Sequence, residues 1–313
     1  MKRTDDLTVY RFIIIGGGAA GLYAGAIAGF FHPDLPEKHC GLILERGTEP
    51  GRKLIITGSG QCNLTHSGSI KDFPAHYHEA GRKIRTLLYA HSNQRVVSTF
   101  SDMGIKTFER EDGKIFPESL SARKVRDTLS ERCSKNGFPI LTGMKCTELI
   151  PLHRKSINRG ARWKIICGEQ EFRARNVLVT TGGASVPKTG SDGSFLKILE
   201  RLTIPVSPLT PALVPVSVQR YPFRDLSGIS FPYAGITVFD RSGKKKTDRR
   251  GPLLLTHEAF SGPCIIDSSR YVETGDRLEI NWIGSDSTDI LLHRLHKKAE
   301  KSKSFAVTHI EET

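Results

Sequence analysis

The residues best spaced for chemistry stand near the start of the chain. GGGAAG, residues 16–21, fits G-x-G-x-x-G with Gly16, Gly18 and Gly21 in register, directly after the apolar run YRFIII and at the opening of AAGLYAGAIAGFF. In that setting the first glycine permits a tight turn, the second lets a diphosphate reach the backbone, and the third allows close packing of helix on strand. The start of the following helix adds unpaired N–H groups and a partial positive charge. Glu45 lies 24 residues beyond Gly21, at the end of GLILE, where an acid is expected to accept hydrogen bonds from an adenosine ribose. A carboxylate there disfavours a 2′-phosphate, so the spacing points to FAD or NAD over NADP.

A second stretch, LERGTEPGRKLIITGSGQCNLTH, residues 44–66, shows neither helical nor strand periodicity and is dense in glycine. Such permissive backbone is expected where a chain passes close to a ligand. Further on, VLVTTGG reads as a buried strand ending at Thr181, Gly182 and Gly183, which can bring backbone close to a nucleotide. A nicotinamide-dependent dehydrogenase would continue its sheet with further β-α units. This chain instead inserts the 47–66 loop and later a β-meander, which favours the flavin form.

The elements that must position these residues follow from periodicity. Residues 10–15, 19–31 and 41–45 read as strand, helix and strand. Helices are expected over about 83–103 and 121–136, the second capped by Ser121, with Val125, Leu129 and Cys133 on one face. IKTFEREDGKIFP reads as two short strands about an Asp112-Gly113 turn. MKCTELIPLH, RWKIICG and EFRARNVLVTTGG form the meander, and a short helix is expected near 194–202. From about residue 204 the composition shifts toward proline and β-branched residues, and ILLHRLHKKAEKSKSF, near the end, resembles an amphipathic helix.

With 313 residues the chain exceeds the size of most single cores, so two domains are expected. Its apolar runs are too short to span a bilayer, and the N-terminus lacks the pattern of a secretory signal. Cys40, Cys62, Cys133, Cys146, Cys167 and Cys264 are scattered, with no C-x-x-C pair and no histidines at zinc spacing. No disulfide framework and no metal site are expected, and a reducing cytoplasm fits best. A formal net charge of +13 suits polyanionic partners, although only RSGKKKTDRR, residues 241–250, forms a dense basic cluster, which reads as a solvated hairpin tip.

Taken in order, GGGAAG, PGRKLIITGSGQCNLTH, GKIFPESLSARKV, VTTGGASVPKTGSDGS, LVPV, DLSGIS and LTHEAFSGP resemble the flavoprotein family that includes BaiN-type bile-acid reductases and aminoacetone-oxidase-like proteins. The resemblance implies an α/β fold: a Rossmann-like FAD-binding domain with a β-meander, interrupted by an inserted β-rich, barrel-like domain. On this reading residues 1–203 form the FAD domain, with a small helical insertion at about 68–137, and 204–313 form the inserted domain. It implies a FAD-dependent oxidoreductase acting on an unsaturated ring or an amine, either a small molecule or a uridine in RNA. By resemblance, Gly51, Arg52, Lys53, Gly58, Gly60, Cys62 and Asn63 lie along the FAD, with the cations near its phosphates or its electron-rich end. Cys62 is then a candidate proton donor to the reduced ring, against the alternative of a packing cysteine. His257 could orient a carbonyl or donate a proton, or could equally be structural.

The family pattern normally runs closer to GGGRCN where this chain has GSGQCN, so one cationic contact is lost at Gln61. Compared with the family, the chain stops inside the inserted domain, and the returning strand and helix start that hold the flavin are not found. A fragment, a disrupted reading frame or a protein completed by another chain would each account for this, and weak or absent FAD retention by the isolated polypeptide is expected. NAD(P)H is a possible electron donor, but no second dinucleotide fingerprint is visible. The rival expectation is a non-catalytic or inactive flavoprotein, or a basic RNA-associated binding protein.

Overall fold

The computed structural model describes residues 8–31, 41–152 and 160–283. Cys40 and the amphipathic pattern over residues 290–305 lie outside them. By internal contacts the chain divides into two units, Met1–Ser207 and Pro208–Thr313.

The first unit opens with β1 (Val9–Ile15), α1 (Ala19–Phe31) and β2 (Gly41–Leu44). After the glycine-rich loop come β3 (Thr65–His66), α2 (Gly81–Ala90), α3 (Asn93–Asp102), β4 (Thr107–Glu109) and β5 (Lys114–Pro117). Then follow α4 (Ala122–Lys135), β6 (Ile140–Leu141), β7 (Glu148–Pro151), β8 (Trp163–Cys167), β9 (Gln170–Val179) and α5 (Leu196–Arg201). The main sheet has the order β6-β2-β1-β9-β8-β7; its first four strands are parallel, and β8 and β7 are antiparallel. β3, β5 and β4 form a separate three-stranded sheet.

Because successive side chains of a strand face opposite ways, the isoleucine-leucine runs fill two cores. Ile14 and Ile43 meet Leu22, Ala26, Val125, Leu129 and Cys133 on one face, and Ile13, Ile15, Leu42 and Leu44 meet Ile165 and Ala174 on the other. The small residues of α1 let α4 approach closely: a Cβ built on Gly25 would lie 2.9 Å from Cys133 Sγ. Asn136, at the end of α4, donates from Nδ2 to the carbonyls of Gly25 (3.1 Å) and Ala26 (2.7 Å).

The helix expected over 83–103 is two helices. Ser92 is extended (φ −70°, ψ 165°), and its Oγ accepts from Arg95 N at 3.2 Å, so it starts α3 instead of continuing α2. The short parallel strand β6 is also an addition to the sequence reading.

The second unit contains β10 (Ser230–Phe239), β11 (Lys245–Leu255), β12 (Phe260–Ser261), α6 (Pro263–Ser268) and β13 (Arg277–Asn281). Its sheet has the order β12-β11-β10-β13, antiparallel throughout, over a core in which Phe223, Phe260 and Trp282 are in mutual ring contact. The proline-rich run from 204 to 218 forms no strand; its β-type pairing is the single bridge of Val216 with Phe260. The basic cluster is a turn only over residues 241–244. From Lys245 it continues as β11, where Lys246 pairs with Asp276 at 2.8 Å. Gly275 sits in a turn just before β13.

Candidate dinucleotide-binding site

Register places Ile15, Leu44 and Val179 side by side, so β1, β2 and β9 all end at one edge of the sheet. Crevices outside such carboxyl ends are where open α/β sheets bind ligands. Gly16 turns there with φ +108° and donates from N to Leu44 O at 2.8 Å. A Cβ on Gly16 would lie 2.6 Å from Thr180 O, and one on Gly21 would lie 2.0 Å from Gly16 O. A Cβ on Gly18 would meet nothing within 4 Å. Two glycines are therefore required by the protein's own backbone, whereas the space beside the third is open, which fits a diphosphate approaching the start of α1. Thr180 fastens the turn from the other strand, its Oγ1 donating to Gly16 O at 2.8 Å.

The Glu45 carboxylate joins the two loops at this edge, Oε2 accepting from Gly17 N at 2.7 Å and Oε1 from Gly47 N at 2.6 Å. Each oxygen has a further lone pair, so the group can still accept from a ribose. The glycine-rich loop is fixed against the turn, Gly51 N donating to Gly17 O at 2.8 Å. Gly51 itself has φ +69°, and a Cβ on it would lie 2.5 Å from Cγ of Arg126, whose guanidinium pairs with Glu49 at 2.9 Å.

These segments enclose a groove of about 310 Å³ in the first unit, lined among others by Gly16, Gly18, Glu45, Arg52, Lys53, Thr181 and Gly182. Arg52 donates from Nη2 to Lys188 O at 2.9 Å, and Lys53 Nζ contacts Ser185 Oγ at 3.2 Å. Both cations thus tie the loop to the segment after β9. At the rim Arg46 pairs with Asp192 at 2.8 Å. That guanidinium, with the hydroxyl and amide of Ser194, holds the Asp192 carboxyl well below the usual carboxylate range.

Other expected site residues lie elsewhere. Gly21 packs behind the turn, and Gly183 borders the groove without lining it, its carbonyl accepting from Ser191 Oγ at 2.9 Å and Gly193 N at 2.9 Å. Gly60 (φ +86°) and the exposed Asn63 belong to the loop beyond the groove wall. Cys62 is 1% exposed, packed in the core shared by α1 and α4, and burial pushes its thiol up. His257 is exposed in the second unit, in the link between β11 and β12. Gln61, which stands where the family pattern has a cation, accepts from the Arg110 guanidinium, which also sits 3.8 Å from the Phe116 ring centre. Arg46, Thr180, Asp192 and Arg110 were missed as candidates: the first three stand inside quoted motifs without being singled out, and the partners of all four lie far along the chain. Among the described residues no cluster of three or more His, Cys, Asp or Glu side chains could hold a metal ion, and no helix is long and apolar enough to cross a membrane.

A parallel sheet with this glycine turn and acid at its carboxyl edge defines a Rossmann-type dinucleotide-binding protein. The model of one family, described as HI0933-like protein Rossmann domain, matches residues 10–269, and the chain belongs to that family of FAD-dependent oxidoreductases. It is 27% identical over 292 residues to a ribosomal RNA dihydrouridine synthase of Haemophilus influenzae, covering 92% of this chain and 68% of that protein. It is 28% identical over 265 residues to a 3-dehydro-bile acid delta(4,6)-reductase of Clostridium scindens, covering 85% of this chain and 61% of that protein. The chain thus spans roughly two thirds of the length of these curated relatives. Among solved structures, a 3-ketosteroid-delta4-(5alpha)-dehydrogenase of Rhodococcus jostii RHA1 aligns with a TM-score of 0.40 at 14% identity, over 57% of this chain and 47% of that one.

Proposed function

We propose that this chain holds FAD in the groove and serves an oxidoreductase that transfers hydride to or from an unsaturated ring. The observation that carries the reading is the contrast among the three glycines: Gly16 and Gly21 are closed in by backbone, while Gly18 opens on empty space at the start of a helix. The backbone from Gly16 to the first turn of α1 would hold the diphosphate, and Glu45 the ribose hydroxyls. Thr181 and Gly182 would offer backbone to the nucleotide, and Arg52 and Lys53 supply two tethered cations that favour an anionic, electron-rich ligand. Bound FAD supplies the hydride chemistry that no side chain of the chain has.

Ring reduction is supported by the names of both relatives, one a dihydrouridine synthase and the other a delta(4,6)-reductase. The net charge of +13 favours an RNA uridine over a small steroid-like molecule. NAD(P)H is the proposed donor. The test is titration of the purified chain with FAD, followed by photoreduction. Uptake with a shifted flavin spectrum, lost in Gly18→Val while the circular dichroism is unchanged, is expected. If the chain takes up neither FAD nor ADP, and Gly18→Val behaves identically, the reading fails.

A further inference from the structure

Among the described helices, α2, GRKIRTLLYA, alone carries basic residues and no acid. Gly81 seats it: a Cβ there would lie 1.9 Å from Pro74 O, so the helix packs directly on the turns at Phe73–Ala80. On that side Gly81 is buried, and Ile84 and Leu88 are half-buried. Arg85, Thr86 and Tyr89 follow Arg82 by three, four and seven residues, which puts the four on one helical face. All four are exposed, and Lys83 and Leu87 are exposed on the flank of that face.

Among the described residues no ion pair joins Arg82, Lys83 or Arg85 to an acid, and Glu79, just before the helix, is the nearest acid in the chain. Arg82 and Lys83 stand in the first turn, where the helix dipole disfavours cations, so they do not serve the helix itself. The Arg85 guanidinium lies over the Tyr89 ring, 5.3 Å from its centre, and the ring is 40% exposed. The denser basic run at 241–250 differs. There Lys245 pairs with Asp248, Lys246 with Asp276 and Glu273, and Arg241 donates to Thr274 O at 2.7 Å, so its charge is partly neutralised within the second unit.

We propose that the exposed face of α2 docks unpaired RNA, with Arg82, Lys83 and Arg85 on its phosphates and a base stacked on Tyr89. Uncompensated cations beside an open aromatic ring are the complement of a single strand, whose phosphates carry the charge and whose unstacked bases offer flat faces. A lipid surface fits less well. The helix has 10 residues, and its exposed large apolar side chains are Leu87 and Tyr89, short of the continuous apolar stripe that holds a helix in a membrane surface. That the docked strand offers the ring to be reduced rests on the function proposed above; the docking itself does not.

The test measures binding of the full chain, without flavin, to a labelled oligouridine of about 15 nucleotides and to the same strand annealed to oligoadenine, across a salt series. In Arg82→Gln/Lys83→Gln/Arg85→Gln, affinity for the single strand is expected to fall at least tenfold at low salt. The slope of log affinity against log salt is expected to become shallower by about 2, since each phosphate contact contributes about 0.7. Tyr89→Leu is expected to weaken single-strand binding about fivefold or more with the slope unchanged, and to leave the duplex unaffected. Lys244→Gln/Lys245→Gln/Arg249→Gln removes the same charge from the basic run and is expected to do much less. Circular dichroism and FAD uptake are expected to be unchanged in the α2 variants, because no α2 residue lines the groove. Equal losses in the two triple variants, or an unaltered slope in the first, overturn the docking face. Tyr89→Leu binding like the unaltered chain overturns the stacked base. Retention on phosphatidylserine vesicles that the α2 triple variant abolishes, in a chain that ignores oligouridine, assigns the face to a membrane and overturns the proposal. A chain that takes up FAD but binds no RNA refutes the docking alone, whereas one that binds RNA through α2 and takes up no FAD upholds the docking and counts against the flavin reading.

Discussion

Gly16, Gly18 and Gly21 have the same side chain and serve three different purposes, which substitution separates. Alanine at Gly21 would place a methyl 2.0 Å from Gly16 O, a backbone atom that cannot swing away. A loss of about 1–3 kcal/mol is expected, in the range of overpacked cores. Alanine at Gly18 meets only open space, so stability is expected to stay within about 1 kcal/mol while FAD affinity falls at least tenfold. Paired melting curves and FAD titrations of the two variants check this, and equal effects of both on both readouts would refute the assignment. The triad and Glu45 were legible in the sequence because their geometry is written within a single β-α-β unit. Arg110 on Gln61 and Arg46 on Asp192 join residues 49 and 146 apart, so they exist only once strand register and loop paths are set.

At the scale of elements, α4 is the helix that was most fully readable. Ser121 Oγ accepts from Lys124 N at 3.2 Å, and Val125, Leu129 and Cys133 are buried. Ser121→Ala is expected to cost about 1 kcal/mol through the lost cap, seen as a fall of about 2–4 °C in melting temperature for a unit of this size. Ser121→Asp, which keeps an acceptor, is expected to restore most of it; equal melting of all three proteins would contradict the cap. The break at Ser92 was missed although the five polar residues from His91 to Arg95 interrupt the apolar period and serine is a favoured cap, because the segments on either side read as one amphipathic run. In the run from 204 to 218, β-branched residues between prolines suggested strands. Proline lacks the N–H a ladder needs, and the pairing there is reduced to the bridge of Val216.

Across the whole molecule the charge of +13 makes one behaviour independent of any flavin. Association with unstructured RNA at low salt is expected to weaken by about tenfold or more between 50 and 200 mM salt, as counterions released on binding compete. Filter binding of the FAD-free chain measures it, and no detectable association at 50 mM would remove RNA from the proposal. The order of the main sheet bears on how the protein is made. β1 is flanked by β2 and by β9, and Ile15 pairs with Val179 far along the chain. During translation the central strand therefore waits, one edge bare, until most of the first unit has left the ribosome. Contacts so distant close slowly, and a bare strand edge invites aggregation. Chaperones that hold nascent chains should raise the soluble yield of this protein more than faster refolding conditions do.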